Sequence, residues 1–178
     1  MKYYFKFVKK PISCDNIDMY SINDKVIHAR EGLATIINIA SMAGNDYFVI
    51  RSDHGGTENI YVPVNNTGSL IRPIMSIEDA NKVVEYMKTV KAEFISNTKQ
   101  RRDQYKRRLL SGNVYDLAYL SRQLYFFHFY NANGQVVKLG PTDIQMLVDA
   151  EVILFDELAI SFDKPRESIQ EYVSRLLA

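Results

Sequence analysis

Tryptophan is absent from this 178-residue chain, cysteine occurs once, at Cys14, and there are only five prolines. A single thiol supports neither an intrachain disulfide nor a zinc site built on paired cysteines, so the fold must rest on its apolar core and a reducing cytosol is the expected compartment. No apolar run approaches the roughly 20 residues needed to cross a bilayer. Lys2 and Lys6 interrupt the aromatic opening Tyr3-Tyr4-Phe5-Lys6-Phe7, which argues against a signal-peptide core. Net charge is scarce as well: 22 Lys plus Arg against 21 Asp plus Glu leaves +1, without the strongly basic character of many nucleic-acid binders. What the chain does hold is apolar residues, 47% of the total, too many for a mostly disordered polypeptide. Residues 1–18 read as an alternating strand or an ordered tail ahead of Met19, itself a plausible second start.

Two periodicities divide the rest. Lys25-Val26-Ile27-His28, Leu33 to Ile39, Tyr47-Phe48-Val49-Ile50, Ile60-Tyr61-Val62 and Leu70-Ile71 are short, β-branched strand signals. Glu31-Gly32, Gly44-Asn45-Asp46, Asp53-His54-Gly55-Gly56 and Asn65-Asn66-Thr67-Gly68 supply the turns between them. Short strands at hairpin spacing suit a small barrel, because closure removes pairing edges. After Ile74 the period becomes helical. Ser76 with Asp79 caps a helix whose buried stripe is Ile77, Ala80, Val83, Val84, Met87 and Val90. A second helix is expected from Asn97 to Ser111-Gly112, and a third from Asn113 to Phe127 with Val114, Leu117, Leu120, Leu124 and Phe127 inward, ending at Asn131-Ala132-Asn133-Gly134. A fourth starts at Gly140-Pro141-Thr142, with Thr142 and Gln145 as its capping box and Ile144, Leu147, Ile153, Leu154 and Leu158 buried. Asp163 and Pro165 open the last, which carries Ile169, Tyr172, Val173 and Leu176. The expected fold class is α+β, a small β-barrel followed by an all-helical C-terminal domain, joined tightly near residue 75.

The net charge of +1 is a cancellation. Between Lys88 and Arg108 eight basic residues face two acidic ones, a net of +6, whereas Pro141 to Ala178 holds three basic and eight acidic residues, a net of −5. A basic segment of that density can neutralise several phosphates. It can equally solvate a helix face or pair with the acidic tail, and on charge alone that is the commoner use. If the segment meets DNA, the acidic tail should lie away from it.

Catalytic signatures are missing. His28, His54 and His128 have no Asp, Glu or Cys at a metal-ligand spacing. His54-Gly55-Gly56 fits a hairpin turn better than an oxyanion loop, since no Gly-x-Ser-x-Gly elbow accompanies it. Phosphate-cradling glycine loops are absent, and Cys14 has no evident base partner. The aromatics of Leu124 to Tyr130 could stack on bases, but packing at a helix end is the simpler role.

Lys106 to Val114 (Lys-Arg-Arg-Leu-Leu-Ser-Gly-Asn-Val), then Leu117-Ala118 and Ser121-Arg122-Gln123-Leu124-Tyr125, following a strand-rich barrel, resembles the CarD family of bacterial transcription regulators. Val62-Pro63 is similar to the family's Val-Pro at a strand end, Gly32 to its early glycine turn, and Ala150 to Ala159 to its penultimate helix. The resemblance runs from Met19 to the C-terminus. It implies an N-terminal extension over 1–18, an RNA polymerase-interacting SH3/Tudor-like barrel over 19–75 and a helical DNA-binding domain over 76–178.

The same resemblance implies a non-enzymatic, cofactor-free cytoplasmic protein, associated with the nucleoid through the polymerase. Its barrel would bind the RNA polymerase β subunit through Arg51, Ile60, Tyr61 and Pro63. The helical domain would hold promoter DNA at the upstream edge of the melted bubble and stabilise the open complex, with Asn97 and Thr98 in the minor groove and Lys99, Arg101, Arg102 and Lys106 on phosphates. Two departures stand out. Some members place a wedging tryptophan before the basic run, where this chain has Thr98, and Tyr61 stands where relatives carry a polymerase-contacting arginine. The rival readings are a polymerase-binding module without DNA contact and, from another class, a small hydrolase using His54 or Cys14.

Overall fold

The computed structural model describes residues 19–55, 57–91, 95–129 and 140–177, leaving aside the side chains of Ser69 and of residues 124–129. The extension with Cys14, Gly56, the expected break at Asn131–Gly134, and the side chains of the aromatic run with His128 lie outside the described parts.

Five antiparallel strands, β1 (Lys25–His28), β2 (Gly32–Met42), β3 (Asn45–Ser52), β4 (Ile60–Pro63) and β5 (Ile71–Pro73), form one sheet in the order β4-β3-β2-β1-β5. The β2–β3 hairpin turns on Ala43 and Gly44, with φ of 50° and 81°, as a primed two-residue turn requires. Asn45 and Asp46, expected in that turn, already pair with Met42 and Ser41. A bulge between Ile36 and Asn38 shifts the register. One face of the sheet carries the core: Val26, Ala34, Ile36, Phe48, Ile50, Val62 and Ile71, closed by Tyr20 edge-on to Phe48 at 5.9 Å.

The expected closure does not occur. β4 and β5 are the two edges of an open sheet, and no ladder joins them among the described residues. The chain between them is short and helical, a turn at Val64–Asn66 and then α1 (Thr67–Leu70), which packs against both strands and takes the place of a closing ladder.

Five longer helices follow: α2 (Ile77–Thr89), α3 (Thr98–Leu110), α4 (Val114–Phe129), α5 (Pro141–Ser161) and α6 (Arg166–Leu177). Ser76 Oγ caps α2 by accepting from Asp79 N at 3.1 Å, and Asn97 Oδ1 caps α3 by accepting from Gln100 N at 3.0 Å. The fourth helix is capped differently from expectation. Gly140 is its N-cap and Pro141 its first residue, Asp143 Oδ2 accepts from Gly140 N at 3.4 Å, and Gln145 instead donates to Asp149. Among the described side chains, two residues of the expected stripes face solvent. Ile77 is the first residue of α2, before its contacts begin, and Ile144 is out of phase with the α5 residues that are buried: Met146, Ala150, Ile153, Leu154, Glu157 and Leu158. The helical core is built on Val83, Tyr105, Leu117, Leu120, Leu154, Leu158 and Ile169.

Helix α5 also packs on β2. Gly32, at φ +70°, lies so close that an added Cβ would stand 3.1 Å from Ile153. Gly112, at φ +66° in the α3–α4 turn, meets Ala29, whose Cα would lie 3.1 Å from an added Cβ.

The β1–β2 turn contains a titrating group. His28 is buried, and its Nδ1 accepts from Glu31 N at 3.2 Å, which requires the neutral ring. Burial, opposed by Glu31 and aided by Arg30, holds the imidazole below its ordinary 6.5. The unfolded chain therefore protonates first, and the stability contributed by neutral His28 is complete above about pH 6.5 and is lost as the pH falls through the folded-state value. Glu151, pushed up by its own burial, titrates with the opposite sign. The difference between wild type and His28→Gln isolates the effect: urea midpoints at pH 7.5 and 5.5 should fall further in wild type, and equal falls would refute it.

Candidate nucleic-acid and protein interfaces

Helix α3 carries most of the basic segment, and its exposed and buried sides treat the charges differently. Lys99, Arg102 and Lys106, three and four residues apart, line one face, with Lys99 and Lys106 exposed and Arg102 half-buried. Neither Lys99 nor Lys106 forms an ion pair among the described residues. Arg107, which sequence reasoning did not single out, is exposed beside them. Asn97 and Thr98 are exposed at the start of the helix, where the cap commits Asn97 Oδ1 and leaves its amide N–H groups as donors.

Arg101 does not belong to this face. Its side chain is 9% exposed and points into the helical half, where it donates to Ile95 O at 2.9 Å and to Asp143 Oδ2 at 3.1 Å. Asp143 is itself fully buried, and Arg102 Nε lies 3.9 Å from its other oxygen. Arg101 is thus held as an internal counter-ion in this arrangement rather than presented to a phosphate, because a buried guanidinium is tolerated only with a charged partner. Tyr105, one turn further on, is buried too. Desolvation pushes its phenol up to about 12, against the effect of a Gln123 hydrogen bond. Arg108, partly exposed, is engaged within the chain as well, ion-paired with Asp116 and stacked 4.1 Å from the Tyr119 ring centroid. The acidic C-terminal segment does not lie wholly away from α3, since Asp143 belongs to it and sits beneath Arg101.

On the sheet, strand alternation puts Arg51, Tyr61 and Pro63 on the face opposite the core. Arg51 is exposed and its guanidinium donates to Asn59 Oδ1 at 3.1 Å, while Tyr61 is 47% exposed on edge strand β4. Ile60 is separated from these three. It alternates to the inner side and packs on the core of the sheet. The outer face continues through Thr35 to Asp53, which accepts from Thr35 Oγ1 at 2.8 Å and pairs with Lys25.

Of the two residues of the hydrolase reading, Cys14 lies outside the described residues and His54 falls into a structural contact. His54 lines a groove of about 530 Å³ with Ser52, Glu58, Leu110 and Asp149, but its Nε2 is turned onto Asp156 Oδ2 of α5. Ser52 Oγ accepts from the His54 backbone N–H at 3.3 Å, and no hydrogen bond between Ser52 and the imidazole is found among the described residues. Those residues hold no His, Cys, Asp and Glu group arranged to bind a metal, and no helix among them is long and apolar enough to cross a membrane.

A search of curated proteins finds no match. Family models do match, and in the order of the two structural halves. The CarD-like/TRCF RID domain covers residues 20–75 and the CarD C-terminal domain covers residues 82–174. Together these matches span the open sheet and nearly all of the helical half, so the chain belongs to the CarD family and is a transcription regulator that interacts with RNA polymerase.

Proposed function

We propose that this protein binds the RNA polymerase β subunit through residues 19–75 and promoter DNA through residues 76–178, stabilising the open promoter complex without catalysing a reaction. The observation that carries the DNA half is the Lys99–Arg102–Lys106 stripe on a capped helix, half-buried at Arg102 and exposed at both lysines, whose ammonium groups are unpaired among the described residues. These groups hold phosphates, and Arg101 supports them from inside. Thr98 offers only one methyl group, too small to unstack a base step, so Asn97 and Thr98 act by hydrogen bonding in the minor groove at the bubble edge. Binding open promoter better than closed shifts the equilibrium by the difference in affinity. The protein is cytoplasmic and reaches the nucleoid through the polymerase.

The polymerase half rests on Tyr61, Arg51 and Pro63, which share one face beside a strand edge that is unpaired among the described residues, a surface suited to an extended partner segment. Tyr61 is the expected anchor, since aromatic and arginine side chains dominate such interfaces. In a pull-down or titration with the polymerase β-subunit lobe, Tyr61→Ala and Arg51→Ala should each weaken binding about 10-fold or more. Unchanged binding in both would move the interface elsewhere. The burial of Arg101 and the absence of tryptophan favour, as the second reading, a polymerase-binding module without DNA contact. That reading predicts duplex binding that is insensitive to loss of the stripe.

A further inference from the structure

Two consecutive acidic residues on α5 are buried, and both reach outside the helical core. Glu157 is fully buried. Its carboxylate accepts both arms of the Arg72 guanidinium on β5, at 2.7 Å for Oε2, and also the Met75 backbone N–H at 3.0 Å. Asp156 Oδ1 accepts from Arg166 Nε at the start of α6, and its buried Oδ2, which makes no hydrogen bond among the described residues, stands against His54 Nε2 in the β3–β4 connection. Ser161, one turn after Glu157, bridges by hydroxyl hydrogen bonds of 2.9 Å to Met75 O and Glu157 O. Burying two carboxylates is costly unless each has a cationic or hydrogen-bonding neighbour, and a hydrophobic helix face would pack the two halves without them. What the carboxylates add is direction. A bidentate arginine–carboxylate pair fixes an angle as well as a distance. Successive residues on a helix point about 100° apart, so the two acids hold the sheet at two separated places and resist rotation about different axes.

We propose that Asp156 and Glu157 are positioning residues that lock the helical half onto the sheet at one orientation, so that the polymerase-facing edge and the DNA-facing helix form a single rigid ligand. The inference rests on the two-partner reading above. Its consequence is thermodynamic: once the sheet is docked, a rigid body presents α3 to the DNA at a high effective concentration, whereas a loosened one does not.

The test uses the full chain with Cys14→Ser and spin labels on cysteines placed at Asn45, at the end of the β2–β3 hairpin, and Gln100, on α3. Wild type should give one narrow distance distribution, and His54→Ala/Glu157→Gln a broadened or shifted one. Glu157→Gln keeps the side-chain length and an acceptor for the Met75 N–H, and His54→Ala alone removes one grip at a partly exposed site should the double variant fail to fold. In parallel, affinity for the polymerase–promoter complex should fall about 10-fold or more, while affinities for the isolated β lobe and for duplex DNA stay unchanged. A narrow, unshifted distribution in every folded variant overturns the lock, as does unchanged affinity for the full complex. If DNA adds nothing to wild-type binding of polymerase, the two-partner reading fails instead, and the distance distributions still decide the lock.

Discussion

Arg101→Ala is expected to destabilise the protein by about 3–5 kcal/mol, the usual cost of leaving one member of a buried ion pair without its partner. Among the described residues Asp143 would then keep only the Gly140 N–H at 3.4 Å and the Arg102 Nε at 3.9 Å around a buried carboxylate. Against a typical total of about 5–15 kcal/mol, such a loss leaves a substantial unfolded fraction at 37 °C. Urea denaturation of Arg101→Ala and Asp143→Ala should show both large losses, whereas Lys106→Ala, a surface change, should stay within about 0.5 kcal/mol of wild type. Replacing both partners with apolar residues of similar volume should recover most of the stability. A loss below about 1 kcal/mol in Arg101→Ala would show that the guanidinium is not an internal counter-ion. Loss of DNA binding in this variant would report on folding and not on phosphate contact.

The phosphate contacts are tested by Lys99→Gln, Arg102→Gln and Lys106→Gln combined. Each neutralised contact should remove about 0.9 from the slope of log affinity against log salt, so the triple variant should be shallower by about 2.7 and weaker by roughly 10²–10³-fold at 0.1 M salt. The loss should be nearly independent of DNA sequence, as expected for groups that position a protein without reading bases. Arg107→Gln, the exposed neighbour that a pattern search overlooks, should remove about one further contact. A triple variant with wild-type slope would leave the stripe a solvated face.

Local chemistry was readable from the residues wherever a few neighbours decide it. Ser76 caps the helix it is expected to cap, the next helix begins at Asn97 as expected, and the strands fall where β-branched runs lie between turn residues. Long-range pairing was not readable in this way. Arg101 stands in a run of basic residues, and its partner Asp143 lies 42 positions further on. A signal did exist: Tyr105 and Leu109 are among the few apolar residues of α3, and Arg101 precedes Tyr105 by one turn, which places it on the buried side. The separation of Ile60 has a related cause, because strand alternation turns it away from Tyr61 and Pro63 although the three are neighbours in sequence. Closure of the sheet failed because the connection from β4 to β5 is filled by helical turns, which a count of strand signals cannot reveal. Asp156 and Glu157 lie inside an otherwise apolar stretch, Val152 to Ala159, and acids at such a place must find partners from elsewhere in the fold.

The most direct test of the two-partner account is the lifetime of the open promoter complex after challenge with a competitor. Purified polymerase, a promoter fragment and the full chain should give a complex that decays more slowly than polymerase and promoter alone. Tyr61→Ala and the Lys99, Arg102 and Lys106 triple replacement should each remove the extension by cutting different ends of the bridge. A wild-type protein that leaves the lifetime unchanged, or a triple variant that extends it as much as wild type, would contradict the account.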